Sequence, residues 1–336
     1  MTNGKTLAGL AVLFLSLGLA ACGPAAEPTP SAAEAPTTDA MAPTEAMPAA
    51  PAEAQVSGEL AVDGSSTVYP IAEAIAEDFI GANPDARVTV AFSGTGGGFK
   101  KFCNKETKIA TASRPIKDEE TATCVAAGIE PIPFEVAYDG LAVVANKESP
   151  IECITVEQLK TMWAPEAEGT VMKWNQVDPS WPATDLKLYG PGTDSGTFDF
   201  FTEVINGKAK ASRADFTASE DDNVLVQGIE GDPGALGYFG MAYYENNADQ
   251  LKLVAVDGGK GCVAPTAATV LDGTYAPLSR PLFVYADAKS LPTDALTKAF
   301  VRYFIANAAA AATKVGYVPS PDATYAKDLQ SLESMQ

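Results

Sequence analysis

Residues 59–115 read ELAVDGSSTVYPIAEAIAEDFIGANPDARVTVAFSGTGGGFKKFCNKETKIATASRP, and in them short strand-like runs alternate with helical ones. Glu59 to Val62 is a strand that runs into Asp63-Gly64-Ser65-Ser66-Thr67 and then a helix with Ile71, Ile75 and Phe79 on one face. Val88, Val90 and Phe92 alternate as a second strand, ending in Ser93-Gly94-Thr95-Gly96-Gly97-Gly98 before a helix through Phe99 and Phe102. Lys108 to Ala112 is a third strand, ending in Ser113-Arg114-Pro115. The pattern returns where Leu186 to Tyr189 leads through Gly190-Pro191-Gly192-Thr193-Asp194-Ser195-Gly196-Thr197 into a helix carrying Phe198, Phe201 and Ile205. Strand and helix periods in alternation, joined by polar glycine-rich turns, predict an α/β fold.

In an open α/β sheet, ligands bind beyond the carboxyl ends of the strands. Here those ends carry Ser, Thr and Gly and open helices, whose first N–H groups lack partners and whose dipole is positive. Each turn alone has a plain structural reading. Ser66 is a candidate N-cap, Gly94–Gly98 a turn, and Asp194-Ser195-Gly196-Thr197 another cap. The glycine run is neither a Walker A loop nor GxGxxG, because Phe99 interrupts both. Several such turns together, with Ser113-Arg114, point to a nest for a small anion.

The chain has 336 residues, which suggests about two domains. The apolar share of 46% is enough for a core. Forty-three acids against 23 bases leave a net charge of −20, which opposes nucleic-acid binding and docking on anionic lipid through a basic patch. Histidine is absent, so Ser-His-Asp catalysis and His-ligated metals are excluded. The expectation is a binding protein with no cofactor, no metal and no catalytic residues. A phosphatase would need a metal cluster or an activated nucleophile, and neither is visible.

Residues 1–21 read as a signal peptide, with Lys5 as its one charge and an apolar run from Leu7 to Ala21. Leu19-Ala20-Ala21-Cys22-Gly23 resembles the bacterial lipobox, which implies lipidation at Cys22, palmitate included, and a membrane anchor. Residues 23–57 hold twelve Ala, seven Pro, five acids and no Lys or Arg, so residues 22–57 read as a disordered tether. The four remaining cysteines allow three disulfide pairings. Cys103–Cys124 is preferred because the two flank one short strand-turn segment, leaving Cys153–Cys262.

At Asp63-Gly-Ser-Ser-Thr, Ser93-Gly-Thr-Gly-Gly-Gly, Ala112-Ser-Arg-Pro and Gly192-Thr-Asp-Ser-Gly-Thr the chain resembles the PstS-type phosphate-binding lipoproteins of phosphate ABC transporters. Gly234-Ala235-Leu236-Gly237-Tyr238 and Pro277-Leu278-Ser279-Arg280-Pro281 extend the similarity over nearly all of 58–336. The resemblance implies a two-lobed periplasmic-binding-protein fold with the cleft between lobes joined by two crossing segments, near Tyr138–Ala145 and Val263–Leu282. Lobe 1 would be 58–140 plus 280–336, and lobe 2 141–279. The implied phosphate contacts are Ser66, Thr67, Thr95, Gly96, Ser113, Ser195, Gly196 and Thr197. The sequence departs from the better-known branch by carrying Arg114 where an aspartate is usual and Pro191 near the usual arginine. Arg114 is therefore the expected guanidinium fork, with Arg280 outside the contact set. For the ligand's proton the candidate acceptors are Asp139, Asp194 and the Glu220-Asp221-Asp222 run, Asp139 being preferred. Trp163, Trp174 and Trp181 are expected to pack core and loops. The implied function is a monomeric, exported, lipid-anchored receptor facing the periplasm or cell exterior. It would bind inorganic phosphate and deliver it to the permease subunits of an ABC transporter. Sulfate, molybdate and phosphonate are the alternative ligands.

Overall fold

The structure, a computed structural model, describes residues 55–193 and 195–335. The signal segment, Cys22, nearly all of the tether and Asp194 lie outside the described residues. In chain order the elements begin β1 (Gly58–Gly64), α1 (Tyr69–Ala82), β2 (Ala86–Phe92), α2 (Thr95–Cys103), β3 (Ile109–Ala112), α3 (Asp118–Ala126) and β4 (Pro131–Asn146). They continue with β5 (Cys153–Thr155), α4 (Val156–Trp163), β6 (Lys187–Pro191), α5 (Gly196–Asn206), β7 (Thr217–Ser219), α6 (Asp222–Gly231), β8 (Ala235–Gly240) and α7 (Met241–Asn246). The last are β9 (Leu251–Asp257), β10 (Cys262–Val263), α8 (Ala267–Leu271), β11 (Ser279–Asp287), α9 (Ala295–Lys314), β12 (Val318–Pro319) and α10 (Asp322–Ser334).

The main sheet runs β2-β1-β3-β11-β4-β8-β6-β7. β1 lies parallel to β2 and β3, and β6 parallel to β7 and β8. The long strand β4 joins the two halves. Its first part pairs with β11 as far as Gly140, opposite Ser279, and from Leu141 onward it pairs with β8. The chain returns through the turn before β11, where the Leu141 N–H donates to the Leu278 carbonyl at 2.9 Å. Two lobes are thus joined by the strand β4 and by the segment that enters β11.

Each half is covered on both faces, as parallel strands require. In the first, α1 buries Ile71, Ala72, Ile75, Ala76 and Phe79, a helical stripe started by Pro70 in the first turn. Phe79 meets Phe300 of α9 edge-on at 5.2 Å. On the other face Phe99 and Phe102 of α2 pack with Tyr285. In the second half Trp163 is buried and its ring contacts Phe201, Phe216 and Tyr238. Trp174 is buried too, against Trp181, so the tryptophans fill core and loops.

Both disulfides have the expected pairing, Cys103–Cys124 between α2 and α3 and Cys153–Cys262 between β5 and β10. They span 21 and 109 residues. Loop-closure entropy then assigns about 3 kcal/mol to the first and about 5 kcal/mol to the second. Double-serine replacement of Cys153 and Cys262 should lower the denaturation midpoint more than replacement of Cys103 and Cys124. The reverse order in denaturant titrations would contradict the entropic ranking.

Candidate functional site

The carboxyl ends of β1, β2, β3 and β6 each deliver a polar turn to one place. There the starts of α1, α2 and α5 line a cavity of about 460 Å³. From the first lobe come Ser65, Ser66 and Thr67 before α1, Gly94, Thr95 and Gly96 at α2, and Ser113 and Arg114 after β3. From the second come Gly196, Asp199, Phe200 and Glu203 of α5.

Local chemistry explains these shapes. Gly94 caps α2 at φ +77°, a conformation that disfavours side chains, and Thr95 and Gly96 at the helix start line the cavity. The Thr95 hydroxyl accepts from the Ser113 N–H at 3.1 Å and lies 3.1 Å from its hydroxyl, tying the α2 start to the end of β3. Ser65 Oγ accepts from the Thr67 N–H at 3.2 Å.

One cation on the wall is Arg280, at the start of β11. Its Nη2 donates to Thr67 Oγ1 at 2.6 Å and its Nη1 to Ser113 Oγ at 3.3 Å. Nε and Nη2 both reach Asp139 Oδ2, at 3.2 and 3.1 Å. The guanidinium lies 3.7 Å from the centroid of the Phe200 ring, a close cation–π contact. Its side chain is 12% exposed and that of Asp139 0%. Burial raises the Asp139 carboxyl above its ordinary value, and the Arg280 charge offsets part of that rise. Burial likewise lowers Arg280, with the Asp139 charge opposing it.

The structure places two of these residues differently from expectation. Arg280, expected outside the contact set, lines the cavity. Asp139, expected as a direct proton acceptor, is absent from the wall and is linked to it through Arg280. The sequence signal for Arg280 was Ser279-Arg280-Pro281, opening β11 opposite Asp139 in register. Arg114 does line the cavity, but its fork is engaged: Nη1 and Nη2 donate to Glu120 Oε2 and Oε1 at 2.9 and 2.8 Å. Desolvation raises Glu120, yet hydrogen bonds from Arg114 and the Lys117 N–H outweigh it and hold the carboxyl below its usual range.

Of the other expected residues, Ser66, Thr67, Thr95, Gly96, Ser113 and Gly196 are on the wall. Ser195 and Thr197 are not. The Ser195 hydroxyl is used as the N-cap of α5, accepting from the Thr197 N–H at 3.2 Å. Asp194 lies outside the described residues. Sequence reasoning missed Lys117, Asp199, Phe200 and Glu203. The last three recur at helical spacing on the face of α5 toward the cleft, which becomes visible once Gly196 is placed there. Among the described residues no acidic, Cys or His cluster is arranged to hold a metal, and no helix is long and apolar enough to cross a membrane.

Fold and site together define a two-lobed α/β binding protein whose cleft gathers helix starts and a largely covered arginine. The PBP superfamily domain matches residues 49–308. Protein SphX of Synechocystis sp. is 49% identical over 272 residues, 81% of each chain. Phosphate-binding protein PstS of Staphylococcus saprophyticus is 38% identical over 283 residues, 83% of this chain and 85% of that one. The crystal structure of a possible phosphate binding protein from Planctomyces limnophilus is 47% identical, with a TM-score of 0.80, over 84% of this chain and 99% of that one. The chain belongs to the PBP superfamily and, within it, to the family of the phosphate-binding protein PstS.

Proposed function

We propose that this protein is an extracytoplasmic receptor that captures inorganic phosphate in the cleft and delivers it to an ABC permease. The observation that carries the reading is Arg280, held by the hydroxyls of Thr67 and Ser113 and fixed by Asp139. A preorganised fork among neutral donors suits a small tetrahedral oxyanion. The contacts would come from Ser66, Thr67, Thr95, Gly96, Ser113, Gly196 and Arg280. Lobe 1 would comprise 58–140 plus 280–336 and lobe 2 141–279, in keeping with the change of β4 partner after Gly140.

Phosphate at neutral pH donates a hydrogen bond that sulfate cannot, so a carboxylate on the wall would discriminate between them. Asp199 and Glu203 hold that place. Replacing Asp199 with Asn, or Glu203 with Gln, should narrow the ratio of sulfate to phosphate dissociation constants for the acceptor residue. An unchanged ratio in both variants would remove the pair from the mechanism. Equilibrium titration with phosphate, sulfate, molybdate and a phosphonate, beside an assay for hydrolysis of a simple phosphate ester, tests the function itself. Tight phosphate binding without turnover is the expected result.

Cys22 would carry the lipid anchor, on the strength of Leu19-Ala20-Ala21-Cys22. Replacing Cys22 with Ser should move the protein from the membrane fraction to the soluble one. Unchanged fractionation would sink the anchor.

A further inference from the structure

We infer that Asp63, which does not itself line the cavity, is the positioning residue that sets the anion-binding turns of the first lobe; this rests on the phosphate-binding reading above. Asp63 is the penultimate residue of β1 and is 3% exposed. Its Oδ1 accepts from Ser93 Oγ at 2.5 Å and its Oδ2 from Lys101 Nζ at 2.5 Å. Ser93 immediately precedes Gly94, the cap of α2, and Lys101 lies in the last turn of the same helix. One carboxylate therefore holds both ends of α2 to the end of β1. The Ser93 N–H adds a 3.1 Å bond to the Gly64 carbonyl.

The glycines at the start of α2 fit this arrangement. A Cβ at Gly98 would come within 2.4 Å of Gly64 Cα and 2.9 Å of the Asp63 carbonyl oxygen. A Cβ at Gly97 would meet Ser93 Oγ at 2.6 Å. The first turn of α2 thus rests backbone to backbone on the strand, leaving few side chains to fix its orientation. The Asp63 bonds, beside the Thr95–Ser113 bonds at the helix start, supply that orientation, so the amides of Thr95 and Gly96 meet the ligand at a set angle. Lys101 also compensates a buried negative charge lying beneath an anion nest.

The roles separate by substitution. Asn at 63 keeps an acceptor for Ser93 but presents its NH₂ to the Lys101 ammonium. Asp63→Asn alone should weaken phosphate binding about tenfold or more, the cost of a lost charge-assisted contact. Asp63→Asn/Lys101→Met should recover most of the wild-type affinity, because the Ser93 bond survives without the clash of donors. Asp63→Ala/Lys101→Met should not recover, and Ser93→Ala, a substitution at an exposed turn, should match it. Inorganic phosphate titrations are run on variants shown to be folded by circular dichroism, well below their melting temperatures. A purely structural role would lower melting temperature and leave the dissociation constants together. Equal affinity in the Asn and Ala double variants, or wild-type affinity in Ser93→Ala, overturns the inference. Failure of the wild type itself to bind phosphate would instead strike the functional reading, and this inference with it.

Discussion

Arg280→Ala should weaken phosphate binding by roughly 30-fold to several thousand-fold, the equivalent of about 2–5 kcal/mol for truncating one partner of a buried, hydrogen-bonded charge pair. Arg280→Lys should recover only part, since an ammonium cannot serve Thr67, Ser113 and Asp139 with one planar fork. Arg114→Ala should cost much less than Arg280→Ala, because the Arg114 fork already faces Glu120.

Arg280→Ala has a second consequence, in stability. Asp139 has one oxygen on Arg280 and the other, Oδ1, buried without a hydrogen-bond partner among the described residues. Without Arg280 the carboxylate is an uncompensated buried charge, which typically costs about 3–5 kcal/mol. Its carboxyl, already raised by burial, then loses the charge that opposed the rise. A folded value above the unfolded one means that stability is fully present below the unfolded value near 3.8 and is lost as pH rises through the folded value. Relative to wild type, Arg280→Ala should therefore be less destabilised at about pH 4 than at about pH 7. Adding Asp139→Asn should restore stability at neutral pH without restoring binding. If the double variant regains affinity, Arg280 acts on the fold and not on the ligand.

Much of this site was legible because its devices are local. Ser66, Thr67, Thr95 and Gly96 announce themselves as polar turns between a strand and a helix, and the structure puts all four on the wall. Ser195 looks the same in sequence and is spent instead on capping α5. A cap and a ligand contact share one composition, and only the direction of the hydroxyl separates them. Arg280 was illegible for a different reason: its partners Asp139, Thr67 and Ser113 are 141, 213 and 167 residues away in sequence. Arg114 misled in the opposite sense. It sits in a polar turn beside the right strand, but Glu120, six residues on, closes on it from the first turn of α3. The α/β class was readable from periodicity, whereas the two-lobed arrangement came from the family resemblance, since the crossing of β4 between the halves is a matter of register that periodicity does not encode.

Gly196→Val should abolish most phosphate binding while leaving the unliganded fold nearly as stable as before. Gly196 is the first residue of α5, in the second lobe, and it lies directly against the α1 turn of the first. A Cβ there would stand 3.0 Å from Thr67 Oγ1, 3.1 Å from Thr67 N and 3.2 Å from Ser66 Oγ. An alanine could be admitted by a shift of a few tenths of an ångström, but the two γ-methyls of valine cannot. Thr67 is not free to yield, since its Oγ1 is held by Arg280 at 2.6 Å. Overpacking of this kind costs about 1–3 kcal/mol, or roughly 5- to 150-fold in affinity. The penalty falls on the contact between lobes, because hinge closure brings such surfaces together without altering either core. The thermal midpoint without phosphate should therefore barely move, whereas the rise in midpoint on adding phosphate should shrink from wild type through Ala to Val. Small-angle scattering of the valine variant in saturating phosphate should show a larger radius than wild type. If the valine variant binds like wild type, Gly196 is not a point of lobe contact in the bound state, and closure must proceed through another face of α5.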